Sequence, residues 1–168
     1  MNTVKKLLVA VDDSEASTRV AQYVAALVGK QGDFVVRLFH VLGPLAPGLL
    51  ETPGSENLQV EEKLEAAEQD AQARWLETAE QVAQQVFTKA RTILREAGVP
   101  ETVVETQFAP SVNRHDITTD ILEEARANHC ETIVVGRASF SRLRDFFHHH
   151  VADELVQKGQ GFTIWVVE

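Results

Sequence analysis

Short apolar runs alternate with longer amphipathic stretches along the whole chain, and that alternation restricts it to one broad architecture. Leu7-Leu8-Val9-Ala10-Val11 is nearly continuous in apolar residues, the pattern of a strand covered on both faces. Asp12, Asp13 and Ser14 follow, all helix-capping types, and the pattern predicts a helix over 15–28 with Gly29 and Gly32 at its end. Phe34 to Val41 is rich in β-branched and aromatic residues and predicts a second strand. Further along, strands are expected at Thr102–Phe108, Thr132–Val135 and Phe162–Val167. Between them fall a helix over Asp116–Asn128, with Ile117, Ile121, Leu122 and Ala125 inward, and a helix from about Phe140 to Gln157. Five strands separated by four helices imply an α/β fold: right-handed crossovers and a parallel sheet with helices on both faces.

The region 42–97 departs from this economy. Leu42 to Ser55 holds three prolines and three glycines and reads as a surface loop. Leu64, Ala67, Ala71, Trp75, Ala79, Val82, Val86, Ala90, Ile93 and Ala97 then step by three or four, which keeps one apolar stripe on a helix. Gly98 and Pro100 stop it. A helix from Asn57 onward would reach roughly 60 Å, so its start is expected to bend, fray or project. Residues 51–80 carry nine acids against two bases, the composition of a solvated acidic face.

Composition narrows the function classes. The 168 residues suit a single domain over 1–168, with 42–97 as its variable part. A formal charge of -9 argues against nucleic acid as a partner. No apolar run approaches the ~20 residues of a membrane span, so no membrane insertion is expected. The start of the chain shows no signal-peptide pattern, and the single cysteine, Cys130, suits a reducing compartment. A cytoplasmic location follows as an expectation.

Ligands of such sheets bind beyond the C-terminal ends of the strands, where strand order reverses. Asp12-Asp13-Ser14, Val41 with the loop behind it, and Gly136 to Ser141 should therefore converge. The last segment follows a strand and opens a helix, a geometry that presents backbone N–H groups to an anion. Arg137, Arg142 and Arg144 add positive charge there, although exposed arginines on an ordinary turn would look the same. A Gly-x4-Gly-Lys-Ser/Thr phosphate loop is absent.

These residues carry a resemblance. Val9-Ala10-Val11-Asp12-Asp13-Ser14-Glu15-Ala16-Ser17 resembles the opening of the universal stress protein family. His40-Val41 is similar to the close of its second strand, Ile133-Val134-Val135-Gly136 to its fourth, and Ser141-Arg142 with Val151-Ala152-Asp153-Glu154 to its last helix. The resemblance implies a Rossmann-like sheet in the order 3-2-1-4-5, a homodimer, and in some members bound ATP. Val11, Asp12, Val41, Val135, Gly136, Arg137, Ser139, His149, His150 and Val151 then become candidate nucleotide contacts. Asp12 and Val41 stand on the adenine and ribose side. ATP-binding members carry Gly-x2-Gly-x9-Gly-Ser/Thr, and only Gly136 of that pattern survives, with Ser139, His149 and His150 at the other positions. The phosphate half of the site is thus expected to be degenerate and the adenine half better preserved. The last strand, an edge in that order, has no charge, proline or glycine to protect it, which makes Thr163, Ile164, Trp165 and Val166 the candidate dimer interface.

No metal is assigned. Consecutive helical residues point about 100° apart, so His148-His149-His150 cannot all converge on one ion, though two of them could join His115 or a symmetry mate. No catalytic residue is assigned either. Ser14 and Ser139 show no neighbouring base, Asp12-Asp13 suits capping, and Cys130 beside Glu131 suits a structural role. The sequence leaves a non-catalytic stress-response module with a residual adenine-nucleotide site and weak or no ATP binding. Three alternatives stay open: an ATP or AMP switch that uses His149, His150 and the arginines for phosphate, a ligand-free dimer working through an unknown protein partner, and a flavin domain.

Overall fold

The computed structural model describes residues 4–29, 33–43, 57–109, 117–140 and 150–168. A five-stranded parallel sheet runs in the order β3-β2-β1-β4-β5. Its strands are β1 (Lys5–Ala10), β2 (Phe34–Val41), β3 (Val104–Ala109), β4 (Thr132–Gly136) and β5 (Thr163–Val167). The helices are α1 (Glu15–Val28), α2 (Leu58–Glu96), α3 (Ile117–Ala127) and α4 (Val151–Lys158), with a short 3-10 turn at Glu101–Val103. The fold class and strand order expected from the sequence are thus observed.

Alternation along β1 explains the two-sided core. Leu7 and Val9 join Val20, Val24, Val86, Phe87 and Leu94 on the face covered by α1 and α2. Leu8 and Ala10 join Phe39, Val41, Ile121, Ile133 and Leu155 on the face covered by α3 and α4. Each strand residue serves one layer and its neighbour the other, so the run must be apolar throughout. Ser14 caps α1 by accepting from the Ser17 amide, and Gly29 closes it at φ +43, a backbone conformation that glycine adopts without a Cβ penalty.

Three expectations need correction. The inward stripe of α2 was drawn through Val82 and Ala97, yet Val82 is exposed and Ala97 lies beyond the last turn. Ala83, Val86, Phe87, Ala90 and Leu94 form the buried face instead, because the 3.6-residue period carries the stripe from Trp75 and Ala79 to position 83. Burial is confined to that second half. At 39 residues the helix measures about 58 Å, while an eight-residue strand spans about 26 Å, so the first half outruns the sheet: it has no fully buried residue, and Trp75, near its end, is only partly buried where it packs against the core.

The expected helix over 140–157 begins later among the described residues. Phe140 stands in a turn at φ +63, which cannot open a right-handed helix, and α4 starts at Val151. His150 is its extended N-cap residue (φ -77, ψ 119) and not part of the helix. Strand boundaries differ by at most two residues, and those of β2 not at all. Lys5 pairs with Phe34, so β1 begins earlier than its apolar run, and residues 101–103 coil before β3.

Candidate functional site

The C-terminal ends of β1, β2 and β4 meet at the point where strand order reverses, and Asp12 is the hub there. Its Oδ1 accepts from the Ser14 amide (3.0 Å), the Ser14 hydroxyl and the Ser17 hydroxyl (2.6 Å). Its Oδ2 accepts from the Phe140 amide (2.5 Å). The Asp12 amide in turn donates to Ser17 Oγ (2.7 Å). One carboxylate therefore ties the turn after β1, the first turn of α1 and the turn after β4 into one unit. Ser14 does have an acceptor beside it, contrary to the sequence expectation. That carboxylate already receives four donors, which makes it a poor base.

The turn after β4 is closely packed. A Cβ on Gly136 would lie 2.6 Å from Ser139 Oγ and 3.0 Å from the Ala16 Cβ. Only glycine allows the two loops this approach. Ser139 is buried, its amide donating to the Gly136 carbonyl (3.1 Å) and its hydroxyl 3.5 Å from that of Ser17. Phe140 is buried too, in the apolar cluster that holds Ala10, Phe39, Val41, Val135 and Val151.

Of the candidate contacts, Val11, Asp12, Val41, Val135, Gly136 and Ser139 surround this junction. Val151 lies in the cluster behind it and His150 is exposed without a side-chain capping bond. His149, and with it Ser141, Arg142, Arg144, His148 and His115, lies outside the described residues. Arg137 turns toward the end of the chain: its Nε donates to Glu168 Oε1 (2.6 Å) and its Nη1 lies 3.5 Å from Asp153 Oδ1. The bond it donates to Glu168 holds the guanidinium still more firmly protonated.

Three residues escaped the sequence reading. Ser17 sits among Val20, Ala21 and Val24 on the inner face of α1, and a hydroxyl in an apolar stripe was the available signal. Phe140 was taken for a helix start. His40 is buried, with Nδ1 2.8 Å from the Val11 carbonyl and its ring edge-on to Phe87. A carbonyl only accepts, so Nδ1 carries the proton, and burial pushes the imidazole pKa down against the pull of that bond, Asp12 and Asp13.

The family model for "Universal stress protein family" matches residues 3–161. The chain belongs to that family. Its fold is shared with a universal stress protein family protein from Burkholderia pseudomallei at 15% identity, covering 98% of this chain and 96% of that one, with a TM-score of 0.61. A universal stress protein from Archaeoglobus fulgidus in complex with dAMP is 17% identical, covers 99% of each chain and has a TM-score of 0.58. An Arabidopsis thaliana family protein with AMP bound is 15% identical, with 97% and 90% covered and a TM-score of 0.54. No curated protein matches the chain.

Among the described residues β5 pairs with β4 alone, and this edge of the sheet carries an open groove of about 370 Å³ lined by Tyr23, Trp165, Val166, Val167 and Glu168. Tyr23 stacks edge-on against Trp165 at 6.2 Å. Thr163 is exposed, and Ile164, Trp165 and Val166 are half-buried. Cys130 is buried, and burial raises its thiol pKa, as suits a structural cysteine. Among the described residues no helix is long and apolar enough to cross a membrane, and no group of three His, Cys, Asp or Glu could hold a metal.

Proposed function

We propose that this universal stress protein is a non-catalytic, cytoplasmic binding module with a residual adenine-nucleotide site and weak or no ATP binding. The single observation that carries this reading is the junction itself. Asp12, Val41 and Gly136 meet at the reversal of strand order, while Ser139 crowds the place where a phosphate loop needs open backbone. The dAMP and AMP complexes of relatives with the same fold supply the ligand class. Arg137, spent on Glu168 and Asp153, offers little to a phosphate. Calorimetric titration with AMP and ATP, with and without magnesium, tests the reading. Millimolar or absent ATP binding is expected, and tight ATP binding by the unaltered protein overturns it.

The free β5 edge favours a second reading, on assembly. It carries no protective charge or proline, and the Tyr23–Trp165 pair extends its apolar surface. Two copies would pair across it as a homodimer.

A further inference from the structure

Phe140 combines three properties that a surface turn does not require of a phenylalanine. Its φ of +63 lies in the left-handed region, where bulky side chains are strained. His129 is the other non-glycine residue with positive φ among the described residues; it lies in the turn after α3. Phe140 is only 4% exposed, and its amide is held by Asp12. Its apolar cluster is the core layer under α3 and α4, which includes the ends of the strands that bound the crevice: Ala10 of β1, Phe39 and Val41 of β2, and Val135 of β4. A strained backbone thus holds a planar apolar ring in a core layer that reaches the ends of these strands.

On the nucleotide reading above, on which this step rests, we infer that the Phe140 ring is an internal occupant of the base pocket. An adenine nucleotide binds only by displacing it. The obstacle to binding then stands on the base side as well as in the phosphate loop. Two costs act together: the ring must leave its apolar surroundings, and moving it out pulls the Phe140 amide away from Asp12 Oδ2. Release of the left-handed strain offsets part of this, so the plug is held by burial and by Asp12 and not by its own backbone preference.

Calorimetry with adenosine and with AMP, on the full chain and on Phe140→Gly and Phe140→Leu, tests the plug. Glycine accepts φ +63 freely, so that variant should fold, and leucine keeps an apolar filling if it does not. Phe140→Gly is expected to bind both ligands at least tenfold more tightly than the unaltered protein, and Phe140→Leu to fall between. The gain should be equal for adenosine and AMP, since the ring blocks the base. A gain for AMP alone overturns the base-pocket assignment. Unaltered protein that binds AMP as tightly as either variant overturns the plug and leaves the nucleotide reading standing. No binding by any of the three, all folded by circular dichroism, ends both.

Discussion

The amide of Phe140 donates to Oδ2 of Asp12 across 2.5 Å, joining positions 128 residues apart in sequence. This one bond locks the turn after β4 onto the turn after β1, and Asp12 is the only one of the two residues that can be replaced without touching the core.

Asp12→Ala should be costly for that reason. It strands the Ser17 hydroxyl and the Phe140 amide, both at a packed junction, and stranded buried donors cost roughly 1–3 kcal/mol each. A loss of about 2–3 kcal/mol in urea unfolding is expected. Asp12→Asn keeps an acceptor oxygen and should lose roughly half as much. Equal losses in the two variants would mean that charge, and not the number of accepted bonds, holds the junction.

Gly136 predicts a test of the same contact from the other side. Its added Cβ meets Ser139 Oγ at 2.6 Å, Ala16 Cβ at 3.0 Å and the Ala16 carbonyl oxygen at 3.2 Å. Gly136→Ala should destabilise by about 1–3 kcal/mol through overpacking. Adding Ser139→Gly removes the worst clash but not those with Ala16, so the double variant should recover only part of the loss. Full recovery would show that α1 yields where the packing says it should not.

How much of this was legible follows from what each signal depends on. The strand–helix order came through because apolar period is a local property: Leu8 and Val9 must both be apolar whichever helices cover them. Asp12, Gly136 and Ser139 stand out in the sequence by pattern and position. Their partnership does not, since a bond between residues 12 and 140 leaves no trace in spacing. Phe140 does not start a helix as expected, because an aromatic shortly after a strand that ends in glycine looks the same in sequence whether its φ is negative or positive. Ser17 falls inside the expected helix over 15–28, where spacing gives no sign that its hydroxyl faces the junction.

His40 sets a pH dependence. The unfolded imidazole titrates near its usual value of 6.5, whereas burial lowers the folded value, so between the two the unfolded chain binds more protons. Stability that is fully present above pH 6.5 should therefore be lost as pH falls from there through the folded value. Urea midpoints at pH 7.5 and 5.5 should differ more in the unaltered protein than in His40→Asn, whose amide can still donate to the Val11 carbonyl. An unchanged slope in the variant would assign the acid sensitivity elsewhere.

The two halves of α2 should behave as if they belonged to different proteins. Phe87 is 3% exposed and packs with the core under β1 and β2, so Phe87→Ala should cost about 3–5 kcal/mol. Leu58 is 77% exposed, and Leu58→Ala should change stability by less than about 0.5 kcal/mol. Amide exchange should follow the same division, with strong protection from Ala83 onward and weak protection before Ala71. Uniform protection along the helix would reveal a partner for its first half.

Backbone direction at β5 permits a test of the dimer that spares the ladder to β4. The Thr163 amide donates to Glu131 and the Val167 carbonyl accepts from Arg137, so these residues turn toward β4. By alternation Ile164 and Val166 turn their N–H groups to the free edge. Val166→Pro removes one outward donor while leaving the β4 ladder intact, and proline is tolerated on edge strands for that reason. The unaltered protein should sediment as a dimer at micromolar concentration, and Val166→Pro as a monomer with an unchanged circular dichroism spectrum. Replacing Trp165 by alanine should weaken the dimer less sharply, because Trp165 contributes contact area and not a ladder bond. A variant that stays dimeric would move the interface away from this strand, and unaltered protein that sediments as a monomer would end the assembly reading without any variant.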